Sequence, residues 1–194
     1  VSHNPQSLLP TIKSRCRELR LNRLTENDLK SALKQINLTI PENDSKLYSL
    51  LGSGSVGNSI RLLEHDGAGL YRTILSFLNQ LPNINGFELE KLIGAFSGNK
   101  NRSRLELFIE LLNMVIARLS KAGIMGYSLP DQILEEEKEI FTRLCPNQIS
   151  AKKWAELAQT QSENLKHGLA VNLDPSSLIL DTFFRIEDCA RIVR

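Results

Sequence analysis

Ser103-Arg104-Leu105-Glu106-Leu107-Phe108-Ile109-Glu110-Leu111-Leu112-Asn113-Met114-Val115-Ile116-Ala117-Arg118-Leu119-Ser120-Lys121-Ala122-Gly123 decides the fold class. Leu105, Phe108, Ile109, Leu112, Val115, Ile116 and Leu119 recur three and four apart, the spacing that lines one face of an α-helix. Leu107, Leu111 and Met114 widen the apolar arc beyond the stripe a surface helix needs, so the segment predicts a central helix packed on several sides. Ser103 is its expected N-cap and Gly123 its expected stop.

The same period runs outward in both directions. Downstream, a helix is expected over Asp131 to Leu144, with the acidic run Glu135-Glu136-Glu137 solvated, and another over Ser150 to Val171. Asp174-Pro175 is an N-cap followed by proline at the first helical position. It opens a last helix through Leu178, Leu180, Phe183, Phe184, Ile186, Ala190 and Val193. The lone Trp154 reads as core packing. Upstream, Phe87 to Phe96 and Leu70 to Leu81 read as helices, the second stopped by Pro82.

Three shorter helices precede them. The first is capped by Thr25, with Asp28 as its capping-box partner, and carries Leu29, Leu33 and Ile36. The second starts near Pro41, has Glu42 and Asp44 in its first turn, carries Leu47, Leu50 and Leu51, and meets Gly52. The third starts near Ser55, carries Ile60, Leu62 and Leu63, and ends before Asp66. Only residues 8–24 read as extended, with Leu19 and Leu21 alternating against Glu18, Arg20 and Asn22 in the period of a short strand. Boundaries fall near 20–24 and near 66–70, where Asp66-Gly67-Ala68-Gly69 reads as a flexible joint. The expected class is all-α.

Composition limits the function. The 194 residues are 41% apolar and 24% charged, an ordinary globular balance with length enough for a real core. No apolar run is long enough for a membrane span. The opening Val1-Ser2-His3-Asn4-Pro5 lacks the layout of a signal peptide and an initiator methionine, and reads as an internal cut in a longer protein. Cys16, Cys145 and Cys189 stand far apart, as do His3, His65 and His167, so neither a zinc site nor a disulfide framework is supported; reduced thiols in the cytoplasm fit best. The net charge of +2 does not argue for nucleic acid. Locally, Lys13, Arg15, Arg17, Arg20 and Arg23 face only Glu18, a cluster that reads as a solvated face unless a motif says otherwise.

Gly52-Ser53-Gly54-Ser55-Val56-Gly57-Asn58-Ser59 matches a dinucleotide fingerprint literally and a phosphate loop nearly. Asn58 stands where the phosphate loop needs a lysine, and the preceding Lys46 to Leu51 reads as helix where both motifs need a strand. The loop alone therefore reads as a helix–loop–helix turn in which Gly52 or Gly54 takes positive φ.

The segment His3-Asn4-Pro5-Gln6-Ser7-Leu8-Leu9-Pro10-Thr11-Ile12-Lys13-Ser14-Arg15-Cys16-Arg17 resembles the Ser-Arg-Cys motif of the clamp-loader branch of AAA+ proteins. By spacing alone Arg15 is a structural arginine paired with Glu18 or a surface one. The resemblance implies instead an arginine finger that reaches the ATP site of a neighbouring subunit, with Ser14 and Cys16 shaping the loop and Cys16 buried. Arginine suits that task because its planar, permanently charged fork can hold the oxygens of a transferring phosphoryl group. Ser2 and His3 fall near the family's sensor 1 position. Gly54-Ser55-Val56-Gly57-Asn58-Ser59-Ile60-Arg61-Leu62-Leu63 resembles the start of the family's sensor 2 helix, with Gly57 where ATP-hydrolysing members carry arginine. That departure resembles the non-hydrolysing, stator type of subunit.

The resemblance implies residues 1–23 as the end of an AAA+ ATPase domain, 24–67 as a three-helix lid and 68–194 as a helical collar for oligomerisation. It implies a chain with no cofactor of its own, ATP and Mg²⁺ being bound by neighbours. The implied partners are other loader subunits of gamma/tau and delta type, the sliding clamp and primer-template DNA, with no membrane. The chain would be a non-catalytic part of a DNA polymerase holoenzyme. The runner-up is an ATP-hydrolysing gamma/tau-type subunit. A stand-alone helical DNA-binding or adaptor protein ranks lower, because the basic cluster is short and lacks interleaved aromatics.

Overall fold

A computed structural model describes residues 9–17, 19, 21–96, 101–125, 133–170 and 173–193. Among them the regular structure is helical and no strand is present. The helices are α1 (Pro10–Lys13), α2 (Glu26–Gln35), α3 (Ser45–Leu51), α4 (Val56–Glu64), α5 (Gly67–Gln80), α6 (Gly86–Ala95), α7 (Arg102–Ile124), α8 (Glu136–Leu144), α9 (Gln148–Ala170) and α10 (Pro175–Ile192). A 3-10 turn, Glu42–Asp44, leads into α3.

Helix α7 is the centre. It packs most extensively on α9 and also on α5 and α8. Its buried residues include Leu105, Leu107, Phe108, Ile109, Leu111, Leu112, Val115, Ile116 and Leu119, so the wide apolar arc has partners around most of its circumference. Phe77 of α5, Phe108 of α7 and Phe183 of α10 meet as tilted ring pairs, with centroids 5.0 Å apart for Phe77–Phe183 and 6.4 Å for Phe108–Phe183. The chain's one tryptophan, Trp154 on α9, is fully buried, and its indole N–H donates to the Leu144 carbonyl at 2.8 Å. The packing role expected of Trp154 is therefore met, and its polar atom is satisfied.

Local signals place most helix starts. The Thr25 hydroxyl accepts from the Asp28 N–H at 3.3 Å and lies 2.7 Å from the Asp28 carboxylate, to which it donates. Ser55 caps α4 through the Asn58 N–H, and Asp174 caps α10 through the Ser177 N–H, with Pro175 at the first helical position. Each such cap is worth about 1 kcal/mol. The central helix departs from its expected ends. It begins at Arg102, one residue ahead of Ser103, and runs through Gly123 to Ile124. A Cβ at Gly123 would collide with the Cys145 sulfur and lie 3.0 Å from the Ala151 Cβ. Gly123 is thus a contact glycine that lets the start of α9 approach α7, not a stop. Ile36, expected to face the core with Leu29 and Leu33, is the exposed C-cap of α2.

Two further expectations are overturned. Leu19 and Leu21 are 82% and 86% exposed, with no strand beside them among the described residues. A strand needs a partner for its ladder, and period-two alternation alone does not supply one. Asp66-Gly67-Ala68-Gly69 is a packed corner, not a loose joint. Asp66 sits in the left-handed region at φ 55°, and its side chain accepts from the Gly69 N–H to cap α5. Gly67 and Ala68 are buried, and a Cβ on Gly67 would strike the Leu62 side chain. Leu47, Tyr48, Leu51 and Leu62 belong to the same continuous core as α5, α7 and α9. Gly67→Ala is expected to cost about 1–3 kcal/mol by overpacking the α4–α5 corner, read as a lowered urea midpoint with an unchanged slope.

The third correction concerns the acidic run. Glu135 and Glu136 are exposed, but Glu137 is 1% exposed. Its carboxylate accepts from the Tyr71 hydroxyl of α5, from Arg118 of α7 at 2.8 Å, and from the Ile133 N–H at 3.4 Å. Burial, reinforced by the adjacent carboxylate, pushes the Tyr71 phenol far above its ordinary range, which keeps it a donor. Six residues on, Arg143 donates to the carbonyls of Leu78 (3.1 Å), Asn79 (2.7 Å) and Leu81 (2.8 Å) at the end of α5. A cation on those terminal carbonyls also meets the negative end of the helix dipole. Helix α8 is therefore hooked to α5 by charge near both ends, with Ile140 and Phe141 buried between the hooks and Leu144 buried just beyond the second.

Candidate functional site

The candidate site consists of the Ser14-Arg15-Cys16 loop and the Gly52–Ser59 loop. The first is set by a single helical turn. Pro10 opens α1 with its φ already suited to a helix and no N–H to orphan. The turn closes when the Ser14 N–H donates to the Pro10 carbonyl at 2.9 Å and the Ser14 hydroxyl donates to the Thr11 carbonyl at 3.1 Å. The Arg15 N–H donates to the Ile12 carbonyl at 3.1 Å, which fixes its backbone just past the helix. Arg15 is exposed and pairs with none of the described residues.

Cys16 is exposed, contrary to the burial expected of it. The reason is its place: it follows a one-turn helix whose own Ile12 is exposed, so no core lies beneath it among the described residues. Cys145 and Cys189 are the buried thiols. Desolvation pushes both thiols up, Cys189 to about 11. Buried, neutral thiols react slowly. A maleimide titration of the folded chain is therefore expected to label Cys16 within minutes, and Cys145 and Cys189 only after denaturant is added. Rapid labelling of all three thiols without denaturant would overturn this placement.

The second loop is a helix–loop–helix turn, as its residues alone suggest. Lys46 to Leu51 lies in α3, Ser53 has φ 51° and Gly54 has φ 67°, while Gly52 is right-handed at φ −74°. Gly54 also has to be small. A Cβ there would fall 2.7 Å from the Leu24 carbonyl oxygen and 2.9 Å from the Arg23 Cβ. The Leu24 N–H donates to the Gly54 carbonyl at 3.1 Å, tying the chain that leaves the basic segment to this loop.

Gly57 lies in the first turn of α4 and is exposed; a Cβ there would meet only the Ser55 hydroxyl, at 4.0 Å. Nothing crowds a Cβ at this exposed position. Gly57→Ala is expected to stabilise the fold by up to about 1 kcal/mol, since glycine in a helix costs backbone entropy without return here. A rise in melting temperature checks it. The one arginine on α4, Arg61, is bound elsewhere. Its guanidinium donates to both Glu110 carboxylate oxygens of α7, at 2.8 and 3.0 Å. Nothing in local spacing could have paired residues 49 positions apart.

No hydrogen bond or ion pair joins Arg15 to the Gly52–Ser59 loop among the described residues. Of the basic cluster, Arg15, Arg17 and Arg23 are exposed; Arg20 and the Lys13 side chain lie outside what is described, as do Ser2 and His3. Among the described residues no group of three or more His, Cys, Asp or Glu could hold a metal ion, and no helix is long and apolar enough to cross a membrane. Comparison with protein-family models, curated proteins and solved structures gives no match for this chain.

Proposed function

We propose that the chain is the C-terminal part of a bacterial DNA polymerase III delta-prime subunit, the non-hydrolysing stator of a clamp loader that opens the sliding clamp and closes it around primed DNA. In this reading residues 1–23 end an AAA+ ATPase domain, 24–67 are the lid and 68–194 the collar. The observation that supports it most is the Ser14-Arg15-Cys16 loop, in which a one-turn helix holds out an exposed arginine with no described partner. An exposed guanidinium held at the end of a fixed turn suits a phosphate supplied by another subunit. Ser14 and Cys16 act as the frame of that loop. The chain holds no nucleotide itself; ATP and Mg²⁺ belong to gamma/tau-type neighbours.

Gly57 supports the stator type over an ATP-hydrolysing one. The position is exposed and would accept a Cβ without a clash yet carries no charge, and Arg61 is committed to Glu110. The test is reconstitution of a complete loader in which this subunit carries Arg15→Ala, with DNA-stimulated ATP turnover as the readout. Lower turnover with intact assembly is the expected result. Unchanged turnover removes the finger assignment.

A further inference from the structure

We draw no further inference here: the strongest candidate, the outward apolar row of Leu180, Phe184 and Ile192 along α10, carries nothing because no observation in the structure shows what covers it.

Discussion

Glu137→Ala is expected to lower folding stability by about 3–5 kcal/mol, a large share of the 5–15 kcal/mol that holds a typical domain together. The cost arises from what the carboxylate leaves behind. Arg118 is only 17% exposed and loses the Glu137 carboxylate, while the Tyr71 hydroxyl and the Ile133 N–H lose the acceptor they share. Single removals of the partners scale differently. Tyr71→Phe deletes one donor and keeps the ring, so about 1–2 kcal/mol is expected. The double change Glu137→Leu with Arg118→Met removes both charges together and is expected to recover only the part of the loss that comes from the uncompensated charge, because the Tyr71 hydroxyl and the Ile133 N–H still lack their acceptor. Urea unfolding of the four proteins decides it. If Glu137→Ala moves the midpoint no more than a surface substitution does, the carboxylate is solvated after all.

Arg15→Ala should leave this stability untouched and, on the proposed stator reading, act on catalysis in a partner. The side chain is exposed and pairs with none of the described residues, so surface-level changes within about 0.5 kcal/mol are expected on folding. If that reading holds, the served site of the assembled loader loses roughly 10³- to 10⁵-fold in hydrolysis rate, the range for a finger supplied in trans. The whole complex would then lose that site's share of turnover while the other sites continue. Arg15→Lys should not restore it, since a point charge on a flexible stem cannot reproduce the planar fork. Size-exclusion chromatography of the mutant complex separates lost chemistry from lost assembly. Full activity in an intact complex would return Arg15 to the ordinary surface residue that spacing alone suggests.

What was legible in the sequence was whatever depends on neighbours a few residues away. The caps at Thr25, Ser55 and Asp174 need only a side-chain oxygen three positions before an N–H. The apolar arc of α7 announces its own burial through spacing. What was not legible depends on residues far off in the chain. Glu137 sits in an acidic run that should be solvated, yet its partners are Tyr71, 66 residues away, and Arg118, 19 residues away. Gly123 looks like a helix stop because the close approach of Cys145 and Ala151 leaves no mark in local sequence. Leu19 and Leu21 show the converse: their alternation satisfies a strand pattern, but pairing is a tertiary property. The candidate site was legible as residue types. Its geometry was not, and Cys16 stands in solvent where the motif suggested a buried thiol.

The single indole gives this chain a built-in optical probe. Trp154 touches the end of α8 through its N–H and lies wholly out of water, so its emission is expected to be blue-shifted in the folded chain and to move red when α8, α9 and α7 part. No dye or tag is needed to watch that part of the molecule, and the α4–α5 corner, which holds no tryptophan, stays dark in the same experiment. Unfolding followed by this signal and by helical circular dichroism should coincide if the continuous core melts as a single cooperative unit.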